Sequence, residues 1–293
     1  ADAYVDAKPA SNVPANTVEI TVPIDIVTTK VSIPVFDSFD ANIKLAIGSL
    51  TAGGVVLNGL TIDGTLLGGE MEMRDVRIAD LSGAAIGLTG TATGFAENIQ
   101  ITANVTVDAD DPAGLLRQTG LTLPGPGGVW NPLQVTGRIA GNIEAFDVDL
   151  EAVAGKTQAG ISGGIEWRGR DPRIDLSFGI ANPSLFGLAR ALGGEIVPAP
   201  GGADGPVSLT GTARGELSNL TLDVAAAAAA AEISLAGSLE ARDVPTFNFV
   251  LEATHPDLLG LLATLGVDYR PAVDNFGGFR LAADIAGTPA RLQ

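Results

Sequence analysis

The chain has no cysteine, one histidine and two methionines among its 293 residues. The lack of cysteine excludes a disulfide scaffold and every thiolate metal site, and it fits a periplasmic or a cytoplasmic protein equally. Aromatic residues make up 5% of the chain and charged residues 17%, whereas hydrophobic residues reach 46%. So much apolar surface with so little charge has to be buried somewhere in the folded protein.

Basic residues are scarce as well. The 17 lysines and arginines face 34 aspartates and glutamates, which gives a net charge of −17. Nucleic-acid binding needs a positive surface, so it is excluded, and electrostatic docking on anionic membranes is disfavoured. No apolar run reaches the ~18 residues of a spanning helix, and the first residues do not form a signal peptide. Any export signal or membrane anchor is therefore expected outside this chain.

A short unit occurs three times, and it consists of a polar residue, a proline, an apolar run and a glycine. Each copy predicts one short helix, with the polar residue as cap, proline at the first helical position and glycine just past the end. The prolines are 71 and 73 residues apart (183 minus 112, 256 minus 183). The three copies begin at Asp111-Pro112, Asn182-Pro183 and His255-Pro256 and end at Gly120, Gly193 and Gly266.

The same period continues outside the helices. Residues 135–141 align with 209–215, and residues 161–167 align with 233–239. Between the helices lie only segments that alternate apolar and polar residues, which is typical of two-faced strands. The sequence therefore predicts a mainly β protein, an elongated and strongly curved antiparallel sheet, shaped as a taco-like groove or half-barrel. The sheet is built from ~73-residue repeats, each with one short helix.

The repeat divides the chain into a lead-in, residues 1–16, and one continuous repeat β domain, residues 17–293. The approximate units are 17–110, 111–181, 182–254 and a partial unit, 255–293. The segment from Phe279 looks like the opening of a further copy. Either the last copy is an incomplete cap or the chain is a piece of a longer protein, and we prefer the second explanation.

Three stretches test this interpretation. Residues 18–26 alternate as a strand, with Pro23 placing it at an edge or a bulge. The apolar parity changes between Met73 and Val76, so a bulge or tight turn is expected at Arg74-Asp75. The seven alanines 225–231 favour a helix by propensity. The repeat register instead predicts a strand end, a turn and a new strand there.

No catalytic or metal site is predicted. His255 is equivalent to Asp111 and Asn182 in the other copies, and both residue types are common helix caps, so capping is favoured over catalysis. The acidic run Asp108 to Asp111 lacks the glycine and the distal glutamate of an EF-hand loop. The glycine-rich segments lack the order of a phosphate-binding loop. We therefore predict neither an enzyme nor a bound cofactor.

Several motifs resemble the C-terminal region of AsmA-type proteins, which include the larger TamB-like relatives. They are residues 36–45 (FDSFDANIKL), 57–60 (LNGL) and 68–71 (GGEM), with 209–215 and 255–266 fitting the downstream part. The resemblance covers roughly residues 31–293. It implies a periplasmic protein of Gram-negative bacteria, anchored in the inner membrane by a segment outside this chain. It also implies phospholipid transport to, and assembly of, the outer membrane, with protein partners in both membranes.

Physical reasoning on the apolar residues agrees with that resemblance. A sheet with one short helix per ~73 residues has too little helix to cover its apolar side. Moving a two-chain lipid with ~30 methylenes into water costs on the order of 20 kcal/mol, at about 0.8 kcal/mol each, and a continuous apolar trough removes most of that cost. The predicted acyl-chain contacts are Ile101, Val105, Ile139, Ile165, Trp167, Leu176, Phe178, Leu209, Leu235, Phe247, Phe249, Leu251 and Leu281. The alternative is a structural or adhesive cell-surface β protein with a closed, dry core.

Overall fold

The fold was analysed in a computed structural model, which describes residues 40–52, 55–95, 98–118, 122–126, 128–167, 171–241, 245–269, 277–288 and 291–292. Within these residues the protein is mainly β, with antiparallel strands and three helices of seven residues each. None of the described helices is long enough to cross a membrane. The lead-in 1–16 and the predicted strand 18–26 lie outside the described residues.

The elements follow in a regular order, with one helix after each of the strands β5, β9 and β13. Four strands lie between α1 and α2, and four between α2 and α3. The bounds are β1 Ala41–Ala52, β2 Val55–Leu67, β3 Glu70–Leu81, β4 Ala84–Thr93, β5 Gln100–Ala109, α1 Pro112–Gln118, β6 Leu133–Gly141, β7 Ala145–Ala154, β8 Thr157–Glu166, β9 Arg173–Asn182, α2 Leu185–Ala191, β10 Val207–Glu216, β11 Asn219–Ala228, β12 Ala231–Glu240, β13 Thr246–His255, α3 Leu258–Thr264, β14 Phe279–Thr288 and β15 Arg291–Leu292.

The chain forms two compact units. The first contains the described residues up to Leu123 together with Asn131–Ala152, and the second contains Pro124–Trp130 together with the described residues from Val153 onward. The first unit therefore holds β1 to β6 and most of β7, and the second holds β8 to β15. The prediction of one continuous repeat domain stays a prediction.

In the first unit, each strand lies beside the next one in the sequence, so the order is linear from β1 to β7. Alternation in β1 places Ile43, Leu45 and Ile47 on a half-buried face and Lys44 on an exposed one. The pairing of β3 with β4 shifts register between Met73 and Val76, which confirms the predicted irregularity at Arg74-Asp75. Because of this shift, the apolar residues before and after it stay on one face.

A small core closes one end of the first unit's apolar face. Leu66 is fully buried and Phe95, which follows β4, is 5% exposed. Both pack with Ala41 and Ala92, against which Ile43, Met71, Met73 and Ile99 lie partly buried. The end of the first unit's sheet is therefore packed like an ordinary protein interior.

The second unit also has a linear strand order, from β8 to β15. The pairs from β8–β9 to β13–β14 are antiparallel and keep a continuous register over their length. The alanine run 225–231 ends β11 at Ala228, turns at Ala229-Ala230 and begins β12 at Ala231. The predicted strand, turn and new strand are thus confirmed, since cross-strand pairing overrides the helix propensity of alanine.

The turn at Ala229-Ala230 carries backbone strain. The φ angles are +48° at Ala229 and +66° at Ala230, a region that glycine and asparagine adopt far more readily than alanine. Changing Ala229 to asparagine together with Ala230 to glycine (A229N with A230G) should raise the free energy of unfolding by about 1 kcal/mol. Thermal unfolding monitored by circular dichroism measures this gain in the free energy of unfolding.

The matched control is the turn that joins β10 to β11. Leu217 and Ser218 form this two-residue connection without a positive φ at either position. The same change there (L217N with S218G) should give no stabilisation, because no strain is relieved and the hydrogen bond from the Ser218 hydroxyl to Asp171 is lost. A gain of equal size at both turns would show that the effect does not come from the strained backbone.

The helix starts differ from the prediction. α1 begins at Pro112 as expected. In α2 the cap is Ser184, whose hydroxyl accepts a hydrogen bond from the Gly187 N–H, and in α3 it is Asp257, which accepts from the Leu259 N–H. Pro183 and Pro256 thus precede the caps of α2 and α3, and the predicted positions there are wrong by two residues. The reason is that Asn182 and His255 are the last residues of β9 and β13.

The helix ends agree better with the prediction. Gly193 and Gly266 follow α2 and α3 with φ angles of +84° and +86°. Both therefore take the positive φ expected just past a helix end. Gly120 lies outside the described residues.

Asp204 supports the start of α2. Its carboxylate accepts hydrogen bonds from the Ser184 hydroxyl (2.6 Å) and from the Phe186 N–H (3.1 Å). These bonds, the Ser184 bond first, hold the pKa of Asp204 below its ordinary value of 3.8. Because the pKa of Asp204 is lower in the folded protein, these hydrogen bonds stabilise the fold fully above the unfolded-state pKa. This stabilisation is lost as pH falls through the folded-state pKa.

We therefore expect Asp204→Asn to unfold more easily than the wild type near neutral pH, with the difference narrowing at a second, acidic pH below 3.8. Urea unfolding at the two pH values measures the difference. Asp223→Asn, at an exposed position of β11, controls for the general loss of one negative charge. A difference that stays constant down to the lower pH would contradict the assigned hydrogen bonds.

Candidate functional site

The second unit presents one sheet face with four rows made only of apolar residues, and these rows are here called the apolar face. Directly paired residues share a face, so the register groups its side chains into four rows that run across the strands. Row 1 contains Ile165, Ile174, Gly215, Leu220, Leu239, Phe247 and Gly287. Row 2 contains Gly163, Leu176, Ala213, Leu222, Gly237, Phe249 and Ile285. Row 3 contains Ile161, Phe178, Gly211, Val224, Leu235, Leu251 and Ala283. Row 4 contains Ala159, Ile180, Leu209, Ala226, Ile233, Ala253 and Leu281.

The opposite face of the same strands is mostly polar and solvated. In β9 it carries Arg173, Asp175 and Ser177, all exposed. Arg214 of β10 donates a hydrogen bond to Asp175 at 2.8 Å in an exposed ion pair. This face therefore provides solubility, and the strands separate polar from apolar residues by alternation alone.

The apolar face is not packed like a core. Ile161 is 37% exposed, Ile233 38% and Leu281 47%. The buried hydrophobic residues among the described part of this unit are all alanines, namely Ala191, Ala213 and Ala231. A dry core would bury its leucines, isoleucines and phenylalanines completely. The described residues therefore leave this face partly open.

Nine of the predicted acyl-chain contacts fall on this one face. They occupy all four rows, and they are Ile165, Leu176, Phe178, Leu209, Leu235, Phe247, Phe249, Leu251 and Leu281. Trp167 follows the end of β8 with the same parity and is 51% exposed. The structure thus brings these residues together, while their contact with acyl chains stays a prediction.

The other three predicted residues belong to the first unit. Ile101 pairs with Gly141, Val105 with Gly137, and Ala103 with Ile139. Ile101, Val105 and Ile139 therefore share a face of the first unit's sheet, and Ile101 is 39% exposed.

Sequence reasoning missed part of the apolar face. Leu220, Leu222 and Val224 alternate in β11 just before the alanine run, and Ile161 lies in β8 four residues before the predicted Ile165. The alternation of β11 was a usable signal. It was obscured because the following alanines fit a helix as well as a strand.

Glycines within the strands bring neighbouring backbones close together on this face. A Cβ added to Gly237 would point out of the apolar face and lie 2.7 Å from the Cα of Phe249 on β13, and closer still to the Asn248 carbonyl oxygen. At Gly211 an added Cβ would lie 2.8 Å from the Phe178 ring and from the Asp223 carbonyl oxygen. Glycine at these positions therefore permits a close approach of the neighbouring strands that a side chain would prevent.

One end of the rows is closed by a largely buried set of residues, here called the closing row: Thr157, Asn182, Val207, Ala228, Ala231, His255 and Phe279. Thr157, Asn182 and His255 are polar, yet they are only 6–7% exposed. The Asn182 amide donates to the Thr157 hydroxyl at 2.9 Å, and its oxygen accepts from the Ser184 N–H. The closing row therefore satisfies its polar groups internally.

His255 takes the same place as Asn182 one copy earlier. Its Nδ1 accepts a hydrogen bond from the Asp257 N–H at 3.0 Å. Nε2 therefore carries the hydrogen and donates to the Ala229 carbonyl at 2.8 Å. His255 thus holds the start of α3 against the preceding turn. The structure supports a structural role, although the cap itself is Asp257.

A concavity lies at the closing-row end of the strands and reaches the polar face. It has a volume of about 750 Å³ and forms where small residues (Ala181, Ser208 and Ala227) lie between Gln158 and Glu232. Among the described residues, no three histidine, aspartate or glutamate side chains are grouped to hold a metal ion. The apolar face is therefore the best-defined candidate site.

Comparison with known proteins gives no further guide. No family model, no curated protein and no solved structure matches the chain. The resemblance to AsmA-type proteins stays a prediction from the sequence motifs.

Proposed function

We propose that this protein carries phospholipid acyl chains along its apolar sheet face, as a periplasmic AsmA-like protein that supports lipid transport to the outer membrane and its assembly. The observation that carries the proposal is the partial exposure of a face with no polar side chain in four successive rows. Leaving such a face in water is unfavourable, at roughly 25 cal/mol per Å² of apolar surface. Acyl chains would cover it without needing any hydrogen bond.

The backbone supports a groove. We interpret the close approaches at Gly237 and Gly211 as a bend of the sheet toward its apolar side, which would make that side concave. The helices recur after every fourth strand, at α1, α2 and α3. We interpret this order as the predicted ~73-residue repeat, with each copy adding another section of a taco-like groove. Anchoring in the inner membrane would depend on a segment outside this chain.

Lipid extraction tests the proposal. The purified chain is extracted with organic solvent, and the extract is analysed by mass spectrometry for phospholipid. Delipidated protein is then incubated with vesicles of phosphatidylethanolamine and phosphatidylglycerol and re-isolated. We expect phospholipid to co-purify and to be taken up again. Protein that stays lipid-free in both experiments would favour the structural or adhesive alternative.

A further inference from the structure

The two ends of the rows differ in access. At the row 4 end, the closing row is largely buried and α2 and α3 begin directly after Asn182 and His255. At the row 1 end, Trp167 and Leu217 continue the apolar parity beyond β8 and β10, and they are 51% and 45% exposed. We call the row 1 end the open edge. Among the described residues, the row 1 end thus continues into exposed apolar side chains, whereas the hydrogen-bonded closing row lies at the other end.

The distance between these ends suits one leaflet of a lipid bilayer. Residues of one face recur every second position, so four rows span about 20 Å at ~3.3 Å per residue. Half of a bilayer's hydrocarbon core is about 15 Å. The rows can hold an extended acyl chain along the strand direction, from the open edge toward the closing row.

The row 4 positions are small or partly exposed. Three of them are the small residues Ala159, Ala226 and Ala253, and the neighbouring Ile180 and Leu281 are 37% and 47% exposed. No ionisable side chain lies on rows 1 to 4. This end therefore suits the terminal methyl group of a chain and gives a headgroup no charged partner.

We propose that the site binds a two-chain phospholipid in one fixed orientation, with the headgroup outside the open edge beside Trp167 and the chain ends at row 4. The orientation rests on the proposed function, since it assumes acyl chains on this face. Trp167 suits the boundary because its ring is apolar and its N–H can reach water or a headgroup. Lipids would then enter and leave through the open edge.

Fluorescence quenching measures the orientation. The chain has two tryptophans, Trp130 and Trp167, so Trp130→Phe leaves a single reporter at the open edge. A second variant (W130F, W167F, I180W) places the reporter in row 4, and circular dichroism verifies its fold. Each delipidated protein is loaded from phosphatidylcholine vesicles with a nitroxide on either the headgroup or the chain end, and is then re-isolated.

We expect the headgroup nitroxide to quench Trp167 several-fold more than the chain-end nitroxide does, and the reverse at position 180. The opposite pattern, or equal quenching at both positions, would overturn the fixed orientation while leaving acyl-chain binding intact. If the protein re-isolated from the vesicles carries no nitroxide lipid and shows no quenching, the proposed function itself would be overturned.

Discussion

Replacing Ile161 by aspartate should reduce the phospholipid bound to this protein by roughly 100-fold. Ile161 lies in row 3 of the apolar face, opposite Phe178, and is 37% exposed. An aspartate in contact with acyl chains costs about 2.5–3.5 kcal/mol, which corresponds to about two powers of ten in affinity. Phospholipid per protein, counted by mass spectrometry after extraction, measures the loss.

The same variant distinguishes an open face from a dry core. On an open face, Ile161→Asp loses only the part of the side chain that is buried, about 1–2 kcal/mol of unfolding free energy. In a closed core it would also bury an unpaired charge, at about 3–5 kcal/mol more. Urea unfolding of the delipidated protein therefore decides between the groove and the adhesive alternative.

Ser162→Asp is the matched control. Ser162 is the next residue of β8, is exposed on the polar face and pairs with Ser177. Ser162→Asp adds the same charge to the same strand as Ile161→Asp, but on the solvated polar face. It should therefore leave both lipid binding and stability nearly unchanged. Equal lipid loss in the two variants would show that the charge acts through the whole protein and not through the apolar face.

The strands and turns were largely predictable from the sequence because local patterns of apolar and polar residues determine them. Alternation in the segments between the helices predicted strands, as β9 shows, and the parity change beside Arg74 predicted the register shift in β3. The alanine run 225–231 was resolved as strand and turn only because the repeat supplied a register that outweighed propensity. A repeat thus carries long-range information that single segments lack.

The helix caps were not predictable from the repeated unit alone. The first polar residue of each copy looked like the cap, yet Asn182 and His255 end strands and Ser184 and Asp257 form the caps. The deciding factor is where the strand stops, which cross-strand pairing sets. The packed core around Phe95 was missed for a similar reason, since the path of the connection after β4 has no local signature.

The candidate site was predictable as a face but not as an arrangement of rows. Each strand showed which side is apolar, so nine predicted residues fell on it. The rows depend on how the strands are paired, and the closing row depends on hydrogen bonds such as that from His255 to the Ala229 carbonyl. Single-strand patterns contain neither kind of information.

Gly237→Ala should destabilise the second unit by about 2–3 kcal/mol, because the new methyl group has no room. It would lie within 2.7 Å of both the Cα and a ring carbon of Phe249 and press on the Asn248 carbonyl oxygen. Backbone atoms cannot turn away as a flexible side chain can, so β12 and β13 must separate or flatten. Thermal unfolding measures the loss, at ~2–4 °C for each kcal/mol.

Gly179→Ala provides the contrast that connects this loss to the bend of the sheet. Gly179 lies in β9 on the polar face, where an added Cβ would be 3.8 Å from the Leu209 carbonyl oxygen and from a methyl group of Thr210. That is ordinary contact, so alanine should be neutral or stabilising by up to about 1 kcal/mol. We interpret opposite signs at these two glycines as support for a sheet that bends around its apolar face, because such a bend crowds that side and opens the other. If both substitutions were neutral, the sheet would be flat at Gly237, and the concave surface required for holding acyl chains would be missing.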